Sequence, residues 1–93
     1  MHTLVQDGIT PLTETQMDAV VRSVEVFLMS GARGKGPIRF DLLAEIMREA
    51  VELGAGRQPT QLEIMAACCT LETRGNLRFD FIGGLLHISS PCA

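Results

Sequence analysis

The glycine-rich segment at residues 31–37 has the residue types that could bind a phosphate. It reads Gly-Ala-Arg-Gly-Lys-Gly-Pro, in which glycines let backbone amides approach an anion and Arg33 and Lys35 add positive charge. With Arg39, these are the charged side chains of residues 31–40. The segment is not a Walker A loop, because it does not end in Gly-Lys-Ser/Thr and lacks a preceding strand. A solvated interhelix loop is the favoured interpretation; an anion or nucleic-acid contact and a contact with an acidic protein stay open.

A second pair with chemical potential consists of a carboxylate and an imidazole, Asp80 and His87. The predicted hairpin makes them exposed neighbours on adjacent strands, and Ser89 and Ser90 lie farther along the strand than a nucleophile should. Catalysis needs a shaped, dehydrated pocket, for which 93 residues leave little room. We therefore expect a solvated pair, no catalytic residues and no enzymatic activity.

The three cysteines are Cys68, Cys69 and Cys92. Their odd number argues against a disulfide framework, and adjacent cysteines rarely satisfy disulfide geometry. Since the start of the chain lacks the features of a signal peptide, we expect reduced thiols and a cytoplasmic protein. A redox switch or a metal site is the alternative, but zinc-ligand spacings are absent and His2 and His87 are isolated. We expect no metal and no cofactor.

Composition narrows the class of protein further. The net charge is −3 and the aromatic residues are four Phe, which disfavours both gripping nucleic acid electrostatically and stacking on its bases. A content of 46% hydrophobic residues indicates a globular domain rather than disorder. No apolar run approaches the roughly 18–20 residues that span a bilayer, so we expect no membrane association.

Helix signals divide the chain into an arm at residues 1–12 and one domain at residues 13–90. A capping box beginning at Thr13 opens a helix over about 14–30. Asp41 is a good N-cap for a second helix that ends at the glycines at 54 and 56. A second capping box at Thr60 opens a third helix that runs to about Arg74. Apolar spacing predicts the buried stripe of the second helix: Phe40, Leu43, Ile46, Met47, Ala50 and Leu53. Residues 38–40 could form one short strand.

The C-terminal segment predicts an antiparallel hairpin. Gly83-Gly84 suits a two-residue turn with positive φ, between segments in which apolar and polar residues alternate. This turn pairs Phe81 with Leu86, Phe79 with Ile88, Asp80 with His87 and Ile82 with Leu85. The first two of these pairs should form a consistent inward face.

The third helix is apolar around most of its girth, which predicts burial on more than one side. One side of such a helix normally meets solvent in a three-helix domain, and the hairpin turn adds apolar residues close by. We therefore expect a protein interface, in a symmetric homodimer or with a separate partner. The expected interface residues are Ile64, Cys68, Leu71, Ile82 and Leu85.

The order of helix, short strand, two helices and hairpin resembles a winged helix-turn-helix. The stretch from Pro59-Thr60-Gln61-Leu62-Glu63 to Leu71-Glu72-Thr73-Arg74-Gly75-Asn76-Leu77 is similar to a recognition helix that runs into the wing. The resemblance covers residues 14–89 and implies an α+β fold with three helices and a C-terminal two-stranded antiparallel hairpin. It also implies a third helix in the major groove and a wing on phosphates.

The sequence departs from DNA-binding members of that family at the residues that would contact DNA. No Lys or Arg lies between Gln61 and Thr73, and the hairpin turn carries no charge. Because phosphate neutralisation supplies much of the affinity for DNA, the fold carries over but the activity does not. We therefore expect a regulatory or adaptor protein that acts through protein–protein contacts. A DNA-binding transcriptional regulator is the alternative, with Arg33, Lys35, Arg39, Arg57, Gln61 and Arg78 as its candidate contacts.

Overall fold

A computed structural model describes residues 11–30, 36–54 and 57–91 of the chain. Three helices and three strands follow one another in the order α1 (Glu14–Ser30), β1 (Ile38–Arg39), α2 (Phe40–Ala50), α3 (Gln61–Thr73), β2 (Arg78–Ile82) and β3 (Leu85–Ser89). The fold is α+β. Almost all of the predicted arm, and the part of the glycine-rich loop at 31–35, lie outside the described residues.

The two predicted capping boxes open α1 and α3. At α1, the Gln16 amide donates to Thr13 Oγ1 at 3.1 Å, and the Thr13 amide donates to Gln16 Oε1 at 2.9 Å. At α3, Thr60 and Glu63 exchange the equivalent bonds at 3.1 and 2.9 Å. Each box satisfies backbone donors that the helix itself leaves unpaired, and both helix starts were correctly predicted from sequence.

The second helix departs from prediction at both ends. It begins at Phe40, one residue before Asp41, which was predicted to be its N-cap. The Asp41 carboxylate instead accepts hydrogen bonds from Arg39 at 3.0 and 2.6 Å. The helix ends at Ala50, because Val51 adopts an extended conformation and buries its side chain. The helix therefore ends four positions before Gly54, and the prediction that it ends at the glycines at 54 and 56 is wrong.

The α3 C-terminus is closed by Gly75 with a φ of +81°. The Gly75 amide donates to the Glu72 carbonyl at 3.0 Å, and the Asn76 amide donates to the Leu71 carbonyl at 2.9 Å. This pair of bonds is a Schellman motif, which favours glycine because a Cβ is strained at positive φ. The motif turns the chain directly into β2.

The sheet has three antiparallel strands in the order β1-β3-β2. The β2–β3 register confirms all four predicted pairs, with Ile82 opposite Leu85 across a turn in which Gly83 and Gly84 both have positive φ. The predicted two-stranded hairpin gains β1, in which Ile38 pairs with Ile88 and Arg39 with His87. The hairpin is therefore tied to the start of α2.

One face of the sheet and one side of each helix form a single core. Across the three strands, Ile38, Ile88 and Phe79 lie in one row on the core face, and Ile88 is fully buried. The predicted inward face does not continue to Phe81, which is 76% exposed although it lies on the same side of β2 as Phe79. The buried residues of the predicted α2 stripe are Phe40, Leu43 and Met47, joined by Ala44. Ile46 and Leu53 are half-buried, and Ala50 is exposed.

Candidate protein-interaction surface

Helix α3 has two opposite apolar sides. The first side holds Ile64, Ala67, Cys68 and Leu71, each with 0% exposure. This corrects the sequence-based interface: Ile64, Cys68 and Leu71 pack in the domain's own core and cannot contribute an exposed patch. The helix packs most extensively against α1 and also contacts α2.

The second side of α3 faces solvent in the single chain, as expected for one side of such a helix in a three-helix domain. Residues spaced by four, three and four positions lie on one helical stripe. Here that stripe contains Leu62, Ala66, Cys69 and Thr73, which we call the outer α3 stripe. Leu62 is 67% exposed, and none of the four side chains is charged.

The outer α3 stripe follows from the sequence only when the core side of α3 is known. Once the capping box sets the start of α3 and Ile64 and Leu71 are placed in the core, residues 62, 66 and 69 fall on the opposite side at about 100° per residue. The sequence analysis placed the patch on the side of α3 that holds Ile64, Cys68 and Leu71, because both sides are apolar, and the structure buries that side.

The hairpin turn supplies a second exposed apolar area. Ile82 and Leu85 face each other across the turn and are 47% and 51% exposed. These are the two predicted interface residues that the structure places at the surface. Phe81, which sequence analysis assigned to the core face, is 76% exposed and adds the most exposed aromatic ring among the described residues.

Of the candidate nucleic-acid contacts, Arg39 already has a carboxylate partner. Its guanidinium forms a bidentate ion pair with Asp41 on the surface. The hydrogen bond and charge of Asp41 raise the pKa of Arg39, and the hydrogen bond from Arg39 is the main reason that the pKa of Asp41 lies below its ordinary value. The pair lies where β1 enters α2.

The second candidate, Arg57, is paired in a more enclosed setting. Its Nη2 donates to Glu63 Oε2 at 2.7 Å, with side-chain exposures of 25% and 16%. Burial raises the pKa of Glu63, but the hydrogen bond from Arg57, the Thr60 amide and the Arg57 charge outweigh burial and leave that pKa below its ordinary value. Arg57 thereby anchors the α2–α3 connection to the first turn of α3.

The remaining candidate contacts do not form one cluster with these two. Gln61 is exposed at the start of α3, beside a shallow depression that Arg48 also lines. Arg78 lies on β2, and Arg39 lies on β1 at the other edge of the sheet. Arg33 and Lys35 lie outside the described residues.

The remaining candidates for chemistry are the Asp80–His87 pair, the cysteines and a possible metal site. Asp80 and His87 are cross-strand neighbours as predicted, and His87 Nδ1 lies 2.9 Å from the Leu85 carbonyl oxygen. Cys68 and Cys69 are free thiols, and burial followed by the neighbouring Cys69 raises the pKa of Cys68 to about 12. Within residues 11–30, 36–54 and 57–91, no three His, Cys, Asp or Glu side chains form a group that could hold a metal ion.

None of the helices in the described ranges is long and apolar enough to cross a membrane. In comparisons with known proteins, no family model matches this chain, and neither a curated protein nor a solved structure does. The functional argument therefore rests on the surface itself.

Proposed function

We propose that this chain is a winged-helix-like domain that acts as a small regulatory or adaptor protein by binding another protein. The order α1, β1, α2, α3, β2, β3 supports the winged-helix part of the proposal, because the α3 helix leads directly into a hairpin on a three-stranded sheet. The outer α3 stripe is the principal binding surface, and Ile82 and Leu85 at the hairpin turn are its secondary surface.

The observation that carries the proposal is the absence of charge on the outer α3 stripe, in a helix whose only charged residues, Glu63 and Glu72, are acidic. In a DNA-binding winged helix, this side would present cationic and amide side chains to phosphates and bases. Here it presents Leu62, Ala66, Cys69 and Thr73. An exposed apolar stripe of this kind favours contact with another apolar surface. The partner we expect is therefore a protein with an uncharged apolar helix face or groove.

The distribution of cations supports the same proposal. Arg39 and Arg57 are engaged by Asp41 and Glu63 within the domain. Binding phosphates through them would require those pairs to be broken or shared. We expect only non-specific DNA binding at physiological salt, in the usual range of about 10⁻⁴–10⁻⁶ M. Nanomolar binding to one sequence, lost in Arg57→Ala, would favour the DNA-binding regulator instead.

The proposal includes a non-enzymatic, cofactor-free protein that works in the cytoplasm with reduced thiols. Two observations support it: Cys68 is fully buried in the core, and the Asp80–His87 pair lies on the face of the sheet opposite the core.

The test places a negative charge on the outer α3 stripe. Leu62→Glu and Ala66→Glu alter exposed positions, so we expect native circular dichroism from both variants. Ala19→Glu is the matched control, because it adds the same charge at an exposed position of α1.

Tagged chains are purified from the cells that naturally make the protein, and the mass of the complex is measured by light scattering. We expect the wild type and Ala19→Glu to carry a second protein, and both stripe variants to lose it. A partner that stays bound to Leu62→Glu and Ala66→Glu would overturn the proposed surface.

A further inference from the structure

Strand β2 is an edge strand whose outer side is open. In the order β1-β3-β2, only β3 pairs with it among the described residues. Four of its five residues are exposed, and Phe79 is the half-buried exception. An open edge of this kind is a template for pairing with another strand.

The hairpin register determines which backbone groups the edge presents. A two-residue turn closes the hydrogen-bonded pair Ile82–Leu85, so alternate residues Asp80 and Arg78 also bond to β3. The amides and carbonyls of Phe79 and Phe81 consequently point away from β3, towards the open side. They can accept a strand there without any break in the existing hairpin.

The side chains of β2 carry a self-complementary charge pattern. Arg78 and Asp80 are two positions apart, so both project from the face of the sheet opposite the core. Both are exposed, and neither forms an ion pair within the described part of the chain. Their order along the strand determines which pairings a second copy would accept.

We propose that the β2 edge binds the β2 edge of a second copy of this chain, antiparallel and centred on Phe79. Around this centre, Arg78 of each copy lies opposite Asp80 of the other, which gives two symmetric ion pairs. Phe79 faces Phe79 of the second copy, and Phe81 faces Leu77. The new ladder is then formed by the outward-pointing backbone groups of Phe79 with those of Phe79, and of Phe81 with those of Leu77, and the two sheets become one six-stranded sheet.

The neighbouring two-fold registers are less favourable because of the same two charges. A centre on Arg78 places two arginines directly opposite each other, and a centre on Asp80 does the same with two aspartates; both arrangements are destabilising. A centre on Phe81 places Asp80 opposite Ile82 and brings no opposite charges together. Only the Phe79 centre pairs every charge on the strand with its opposite.

The Phe79-centred register also changes the surroundings of the exposed ring of Phe81. Phe81 lies on the same side of β2 as Phe79 and is 76% exposed. In the paired arrangement it lies beside position 77 of the other copy. Because Leu77 is 2% exposed in its own core, it presents little surface to the ring, and the pairing is carried by the backbone groups and the two ion pairs.

The test uses the purified chain alone, so that it does not depend on the heterologous partner proposed above. Sedimentation velocity over a range of concentrations should show the 10.1 kDa chain associating to a species of twice that mass. Arg78→Glu and Asp80→Arg each turn both attractive pairs into repulsive ones. We expect each variant alone to associate about tenfold or more weakly than the wild type.

Mixing the two variants is the decisive step. In a mixed dimer, the new Glu at position 78 of one copy lies opposite the new Arg at position 80 of the other. Asp80 of the first copy lies opposite Arg78 of the second. Both pairs are again opposite in sign. We expect an equimolar mixture to recover association and to contain one copy of each variant by native mass spectrometry. The double variant Arg78→Glu/Asp80→Arg should also self-associate.

The possible failures are distinguishable. A wild-type chain that stays at 10.1 kDa up to about 200 µM, or variants that associate as well alone as mixed, would overturn the β2 pairing. If Leu62→Glu abolishes self-association while Arg78→Glu does not, the second copy binds the outer α3 stripe. That result would reject the β2 edge as the interface and leave α3 as a protein-binding surface.

Discussion

The two leucines at opposite sides of α3 provide a controlled test of which side belongs to the core. Leu71 is fully buried, whereas Leu62 is 67% exposed. The same Leu→Ala change at each position removes the same atoms from the same helix. Alanine has a slightly higher helix propensity at both positions, so that contribution cancels in the comparison.

The two substitutions should differ by several kcal/mol. Truncating a fully buried leucine removes its transfer free energy and leaves a cavity, at a cost of about 2–5 kcal/mol. At Leu62 only about a third of the side chain is covered, so the loss should stay below about 1 kcal/mol. A domain of this size has a total stability of roughly 5–14 kcal/mol, so Leu71→Ala removes a large part of it.

Urea denaturation followed by circular dichroism measures the difference. With an m-value of about 1.5 kcal/mol per M, a loss of 3 kcal/mol lowers the midpoint by about 2 M. The measurement should be made at a concentration at which sedimentation shows only the monomer, so that association does not contribute. Equal losses for Leu62→Ala and Leu71→Ala would refute the assignment of the two sides.

Three further predictions concern other parts of the domain. Glu63→Gln should lower the free energy of unfolding by about 1–2 kcal/mol at neutral pH, because Arg57 loses a charged acceptor in a mostly buried site. The pKa of Glu63 in the folded state lies below its ordinary 4.5. The stability advantage of the wild type should therefore be complete above pH 4.5 and disappear as the pH falls through the folded-state pKa. An advantage that does not decrease as the pH is lowered below 4.5 would contradict this. In a Cys92→Ser background, one thiol should react with Ellman's reagent in the native protein and a second only after denaturation. The reason is that Cys69 is exposed, whereas Cys68 is buried with a pKa of about 12. Two fast-reacting thiols in the native protein would place Cys68 at the surface. Gly84→Ala should lower the free energy of unfolding by about 1–2 kcal/mol, because the φ of Gly84 is +82°. Gly36 is equally open but has no positive φ, so Gly36→Ala should change the stability by less than about 0.5 kcal/mol. Thermal melts of the two variants compare these losses, and equal melting temperatures would contradict the prediction.

Local signals in the sequence predicted the helix starts and the hairpin. Thr13 and Thr60 each have a glutamine or glutamate three residues later, and this reciprocal pattern satisfies the same backbone amides wherever it occurs. The two consecutive glycines at 83 and 84 favour a two-residue turn with positive φ, and the length of that turn sets the β2–β3 register. These features depend on a few consecutive residues, so the local sequence is sufficient to predict them.

Features that depend on distant parts of the chain were predicted less well. The pairing of β1 with β3 joins residues about 50 positions apart, which no local pattern specifies. Phe81 alternates correctly with Asp80 yet is 76% exposed, because alternation does not say which residues the rest of the chain covers. A local signal also failed at Asp41, whose carboxylate pairs with Arg39 while α2 begins one residue earlier.

The candidate surface illustrates the limit of hydrophobic periodicity. Apolar side chains on both sides of α3 hide the contrast that usually separates a core side from a solvent side. The packing of α1 against α3 resolves the ambiguity in favour of Ile64 and Leu71. The outer α3 stripe becomes visible only after that packing is known.

The most direct test of protein binding through α3 uses Cys69 as a native probe at the centre of the outer α3 stripe. In a Cys92→Ser background, the rate at which Cys69 is alkylated is measured for the isolated chain and for the complex purified from the cells that make it. If a protein covers the stripe, Cys69 in the complex should be alkylated at least tenfold more slowly than in the isolated chain. The rate should recover when the complex is denatured, the partner is removed and the chain is refolded alone. An alkylation rate for Cys69 that is the same in the complex and in the isolated chain would contradict the proposal that α3 is the partner-binding surface.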